Sequence, residues 1–291
     1  MKYLSYLIFV GLGRCIALLP MRVLYIISDI LYPLVYYVIG YRKKVVFENL
    51  RNSFPEKSEE EIEIIAKKFY HHFCDLLVEI VKVLHISAEE LKKRMKYRDV
   101  SGFKEEFKRN KHILVVLGHY NNWEWGCCLG MQGVHRFATI YKPLKNKYFD
   151  NLMIKMRTQF GDDVVPMVHT PRYLMEQIQK GELTQLNFIA DQSPYQSDIR
   201  YWTTFLNQET PVLLGIEKLA RKTHQPVYFA KFYKIKRGYY EVEVIKLCDD
   251  CSLLAPYELT NMHVKALEEL IREAPENWLW THRRWKHKRE Q

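Results

Sequence analysis

Residues 112–126 read HILVVLGHYNNWEWG, and the fold turns on how they are read. HILVVLG, at 112–118, is apolar without alternation and ends at a glycine, the pattern of a strand covered on both faces in a parallel sheet. FATIY (137–141), LNFIA (186–190) and PVYFAKF (226–232) look the same. Helical patterns lie between them at 149–160, 171–180 and 213–223. YYEVEVI (239–245) alternates, as an edge strand does. Strands alternating with helices predict an α/β sandwich with a mainly parallel sheet. Chemistry in such sheets gathers beyond the carboxyl ends of strands, which singles out residues 118–124, 142–147, 191–200 and the loop after Phe232.

Ahead of this region the texture differs. Residues 3–41 are the most apolar stretch, charged only at Arg14, Arg22 and Asp29. The longest uncharged runs, 3–13 and 30–41, fall short of the ~18–20 residues of a plain spanning helix. The apolar character continues past Pro20 and Pro33, unlike a secretory signal. Two readings are open: a pair of core helices, or a membrane-embedded or interfacial hairpin broken near Pro20. Interspersed tyrosines and the basic Arg42, Lys43 and Lys44 that follow favour the second, at the cytoplasmic face. Ser58 then caps a helix whose apolar positions Ile62, Ile65, Ala66, Phe69, Phe73, Leu76, Leu77 and Ile80 run to about Leu84. A shorter helix starts at Ser87. The expected division is an anchor at 1–41, a helical subregion at 42–100 and an α/β domain at 101–291.

Composition narrows the classes. With 48% apolar or aromatic residues among 291, wholesale disorder is excluded. Lys and Arg outnumber Asp and Glu by 44 to 34, which favours an anionic partner. Nucleic acid is disfavoured, because the aromatic residues spread along the chain instead of interleaving in one basic platform. Six cysteines in so long a chain do not form a small disulfide framework and fit a reducing compartment. Cys248 and Cys251 lack the partner pair that a zinc or redox site needs.

The loop after the first strand holds His119, Asn121, Asn122 and Glu124. Five positions apart on one helix, His119 and Glu124 would diverge. A break at the asparagines lets the chain double back, so the expected arrangement has Glu124 accepting from one imidazole nitrogen and leaving the other as a base. Cys127 and Cys128 fall inside the apolar helix expected next, so no protein nucleophile is obvious. Such a pair suits deprotonation of an incoming hydroxyl, and a structural histidine beside a helix-capping acid is the plainer alternative. No third ligand has a regular spacing to this pair, so no metal is expected.

Gly118-His119 through Glu124 after an apolar strand resembles the His-x4-Asp/Glu motif of glycerolipid-type acyltransferases. The ordered set of further segments resembles the lipid A biosynthesis acyltransferases: RKKVVFENLRNSFP (42–55), Tyr141-Lys142-Pro143, Arg157 ahead of Phe160-Gly161, Asp191-Gln192, and WTHRRWK (280–286). The resemblance implies a glycerol-3-phosphate-acyltransferase-like sandwich with no cofactor. It implies transfer of a fatty acyl chain from a thioester, on acyl carrier protein or coenzyme A, to a hydroxyl of a lipid A precursor. The setting it implies is the cytoplasmic face of a bacterial inner membrane. His119 and Glu124 would be catalytic, with Asn122, Lys142, Arg157, Asp191, Gln192 and Arg283 meeting substrate. An acyltransferase of another lysolipid or of an amino-acid-linked lipid is the alternative.

Overall fold

The computed structural model describes residues 2–289; the outer ends of the expected anchor and α/β domain, Met1 and residues 290–291, lie outside the described residues. Nine strands occur among those described: β1 (Met95–Tyr97), β2 (Ile113–Leu117), β3 (Arg136–Tyr141), β4 (Asp163–Pro166), β5 (Thr184–Ile189), β6 (Trp202–Phe205), β7 (Gln208–Pro211), β8 (Val227–Lys236) and β9 (Tyr239–Cys248). The helices are α1 (Lys2–Leu18), α2 (Met21–Pro33), α3 (Lys43–Ser53), α4 (Glu59–Lys82), α5 (Ala88–Arg94), α6 (Ser101–Lys108), α7 (Lys147–Thr158), α8 (Thr170–Lys180), α9 (Gly215–Thr223) and α10 (Glu258–Glu273). Seven strands make one sheet in the order β1-β9-β8-β2-β5-β3-β4, and β6 and β7 form a separate hairpin. Every pairing in the large sheet is parallel except β8 with β9. The α/β class and the mainly parallel sheet are as the sequence predicts.

β2 is buried at every position, in keeping with its unbroken apolar run. β9 is not the edge: β1 pairs with it on the outside. Three residues are too few to show any period, which is why β1 left no trace in the pattern.

The chain breaks at Pro20, and the helix after it continues through a π-helical turn, Leu34–Ile39. Met21–Ile39 is long and apolar enough to cross a bilayer by length and composition. One face of α2 (Met21, Leu24, Ser28) is buried, whereas Ile26, Ile30, Val38 and Ile39 are exposed.

α4 begins with the expected cap: Ser58 Oγ accepts from the Glu61 N–H, and the Glu61 carboxylate accepts from the Ser58 N–H. Two acids on its buried face make it a hub. Asp75 accepts from both Arg237 Nε (3.0 Å) and Ser28 Oγ (2.7 Å). Glu79 accepts from Tyr25 (2.8 Å), Tyr240 (2.8 Å) and Asn122 (2.7 Å). A buried carboxylate is tolerable only when paired in this way, so α2, β9 and the loop after β2 are all fastened to α4.

The carboxyl-terminal segment crosses the same region. Asn49 on α3 donates to the carbonyls of Trp280 (2.9 Å) and His282 (3.0 Å), and Arg42 donates to that of Thr281 (2.9 Å). Asn49→Leu removes both donors while leaving two carbonyls to find other partners. We expect about 1–3 kcal/mol lower stability in urea unfolding, with faster proteolytic clipping beyond Asn277.

Candidate active site

β2 and β5 are parallel neighbours with Leu117 opposite Ile189. Two residues beyond that pair, on the two strands, stand His119 and Asp191. His119 Nδ1–H donates to Asp191 Oδ1 at 2.6 Å. The His119 backbone N–H and Trp278 Nε1–H both donate to Asp191 Oδ2 at 2.8 Å. Burial alone would raise the Asp191 pKa; the His119 charge and these hydrogen bonds outweigh it and hold the carboxyl at about 2. Gly118 permits the close approach, since a Cβ there would lie 2.7 Å from Leu267 Cδ1 and 3.3 Å from Asp191 Oδ2.

A carboxylate on Nδ1 fixes the proton there and leaves Nε2 as an acceptor. Nε2 faces the Gln192 side-chain amide at 3.1 Å. Gln192 is exposed, so this amide can yield to an incoming hydroxyl. The Trp123 ring stands edge-on to the imidazole, 4.9 Å between centroids.

The imidazole's partner is therefore Asp191, which corrects the expected hydrogen bond to Glu124. The turn at the asparagines does form. Asn121 takes a left-handed φ of 54° and donates to the Phe232 carbonyl. Asn122 caps a 3-10 helix, Trp123–Gln132, by accepting from the Trp125 N–H. Glu124 falls in its first turn, but Arg157 clamps it: Nε donates to Oε2 at 3.0 Å and Nη2 to Oε1 at 2.6 Å. A guanidinium fork satisfies both oxygens at once. Burial raises the Glu124 pKa, yet Arg157 more than offsets it and the net shift is downward. Glu124 also accepts from Trp123 Nε1 at 3.2 Å, so it bears on His119 through the indole ring.

Asn122, expected to meet substrate, is 1% exposed and donates its amide to Glu79, so in this structure it supports the turn. Lys142 is exposed, its ammonium 3.7 Å from the centre of the Tyr195 ring. Arg283 is exposed, while its neighbour Arg284 is buried and donates to the Pro211 carbonyl. Burial raises both the Cys127 and Cys128 thiols, Cys128 to about 12, so neither is a ready nucleophile. No cluster of three or more His, Cys, Asp or Glu residues suited to a metal occurs among the described residues.

One member of the site, Trp278, escaped the sequence reading; it holds Asp191 from the side. His282, inside the 280–286 segment but given no role of its own there, accepts from the Ser193 N–H through Nε2 at 3.1 Å. Burial lowers the His282 pKa to about 4, keeping it neutral. The aromatic and basic crowding at 278–285 was the available signal; the partners came from distant segments.

Two apolar hollows meet at Trp123. A narrow cavity of about 40 Å³ runs into the core past Glu124, Arg157, Leu129 and Phe137. A wider groove of about 300 Å³ opens between α4 and the carboxyl-terminal segment.

The sequence model of the family described as bacterial lipid A biosynthesis acyltransferase matches residues 1–287. The chain is similar to "Lipid A biosynthesis acyltransferase 2" of Shigella flexneri, 20% identical over 236 residues that span 80% of this chain and 74% of that protein. The chain belongs to the lipid A biosynthesis acyltransferase family and is an acyltransferase.

The Asp191 carboxyl is held below its ordinary 3.8. A depressed folded-state value adds stability in full above pH ~4 and loses it as pH falls through ~2, roughly 2 kcal/mol in all. The stability gap between wild type and Asp191→Asn, measured by urea unfolding, should narrow by about that amount between pH ~6 and ~2.

Proposed function

We propose that His119 is the general base of an acyl transfer from an acyl carrier protein thioester to a hydroxyl of a lipid A precursor, with Asp191 as the group that orients it. The observation that carries this reading is the imidazole itself: Nδ1 is tied to a buried carboxylate, Nε2 meets an exposed, displaceable amide, and the ring packs on Trp123, the residue that lines both apolar hollows. The acceptor hydroxyl displaces Gln192 and gives its proton to Nε2 as its oxygen attacks the thioester carbonyl carbon. The tetrahedral intermediate collapses with loss of the C–S bond, and the imidazolium returns the proton to the departing sulfur. Asp191 stabilises the imidazolium between the two steps. Such assistance is worth ~10²–10⁴-fold in rate.

Arg157 lines the core cavity beside Glu124 and supplies positive charge for the developing oxyanion. Glu124 sets that guanidinium and the Trp123 ring, so it is a positioning residue in this scheme. The apolar walls of the core cavity suit the first few methylenes of the donor's fatty chain. Lys142 and Arg283, both exposed, suit anionic groups of either substrate.

Membrane association follows from the exposed apolar face of Met21–Ile39 and the basic residues next to it. We place the enzyme on the cytoplasmic face of the inner membrane, where it meets its acceptor without drawing a chain into water at ~0.8 kcal/mol per methylene.

Purified enzyme, acyl carrier protein or coenzyme A thioesters and a lipid A precursor test the scheme by thin-layer analysis. His119→Ala should abolish transfer without loss of fold. Asp191→Asn should lower turnover ~10²-fold or more with little change in donor KM. Glu124→Gln should act more mildly than Asp191→Asn. Wild-type turnover by His119→Ala would sink the assignment.

A further inference from the structure

The wider groove is distinct from the core cavity and far larger, and its position gives it a role of its own. It is walled by Phe73, Leu77 and Ile80 of α4 and by Leu279 and His282 of the carboxyl-terminal segment, with Trp123 at its inner end. Trp123 lines the core cavity as well, so one indole ring separates the two hollows, and its edge is against the His119 imidazole. At the outer end is Tyr41, stacked on Phe73 with 5.9 Å between centroids. Tyr41 follows directly on the π-helical turn whose Tyr37, Val38 and Ile39 are exposed. The groove thus leads from the exposed apolar face of the amino-terminal helices to the indole that packs on the His119 imidazole.

A hydrogen bond ties the entrance to the carboxyl-terminal wall. Arg42 takes a left-handed φ of 55°, and its Nη1 donates to the Thr281 carbonyl. Arg42 also lines the groove, placing one cation beside an otherwise greasy entrance. His282, neutral and tied by Nε2 to Ser193, keeps polar character near the inner end.

We infer that this groove holds the hydrocarbon chain of the acceptor lipid, entering sideways from the membrane surface, and that Trp123 keeps it apart from the donor's chain. The inference rests on the acyl-transfer reading above. A chain carrying its own hydroxyl is the occupant that fits, because the groove reaches Trp123, which packs on the His119 imidazole, and lies next to the exposed apolar residues of the amino-terminal helices. The cation at the entrance is complementary to an anionic headgroup. Filling the groove should then weaken the acceptor alone.

The experiment compares wild type with Ile80→Trp and, as a milder change on the exposed side, Leu77→Trp. Two readouts are taken on each: hydrolysis of the acyl thioester by water without acceptor, and transfer to acceptors whose hydroxyacyl chain is long or short. The expected result is an increase of about tenfold in KM for the long-chain acceptor, little change for the short-chain one, and thioester hydrolysis within about twofold of wild type. Either variant meeting this pattern supports the groove. Unchanged KM for the long-chain acceptor in both variants overturns it. Thioester hydrolysis falling in step with transfer overturns it too, because the groove would then hold the donor's chain. A wild-type enzyme that neither hydrolyses the thioester nor transfers its chain would instead remove the catalytic reading on which the inference stands.

Discussion

The Asp191 carboxylate is the point at which three remote parts of the chain become one site. Its donors are His119, 72 residues earlier, and Trp278, 87 residues later. Hydrogen bonds to a charged group contribute ~1.5–3 kcal/mol each, and a buried carboxylate without them would be far more costly. The arrangement is therefore close to all-or-none. With the donors present Asp191 is ionised, the imidazole tautomer is set, and the carboxyl-terminal segment is drawn against the end of β2, where the Leu279 N–H donates to the His119 carbonyl and the Asn121 N–H to that of Asn277.

Much of this framework could be read from residue pattern. The largely apolar runs at β2, β3, β5 and β8, the capping Ser58 and the break at Pro20 all follow from local rules that the sequence states openly. The partner of His119 does not, because it depends on which strand lies beside β2. Once Leu117 is known to face Ile189, the meeting of His119 and Asp191 follows by counting two residues on each strand. Without strand order, Glu124 is the acid in view and Asp191 is only a residue at a loop. The partner of Asn122 is hidden for a related reason: it sits in the loop after β2, but its amide answers to Glu79, 43 residues away.

The buried acids of α4 show the same limit from another side. An apolar period assigns Asp75 and Glu79 no place in the core, yet both are fully buried. Burial raises the Glu79 pKa to about 7 despite three donors that pull it down. Its ionisation is thus balanced rather than strongly favoured, and its value to the fold lies in which segments it joins. Tyr25 comes from α2, Tyr240 from β9 and Asn122 from the cap of the 3-10 helix that carries Glu124.

These ties bear on how an apolar helix long enough to cross a bilayer would be used. Asp29 is paired with Arg237 at 2.6 Å, Ser28 donates to Asp75, and Tyr25 donates to Glu79. Moving α2 into hydrocarbon would break all three. The half-exposed Asp29–Arg237 pair is worth at most ~1 kcal/mol, but each hydrogen bond lost from the buried Asp75 and Glu79 carboxylates costs ~1.5–3 kcal/mol, and an aspartate at the centre of a spanning helix adds ~2.5–3.5 kcal/mol. Lying flat lets Ile26, Ile30, Val38 and Ile39 meet lipid with none of those losses, since they already face outward. In the proposed setting the helix serves as a platform held on the catalytic domain. Glu79, which fastens it, also fastens the Asn122 cap, so the exposed apolar surface of the helix and the turn after His119 are referenced to a single side chain.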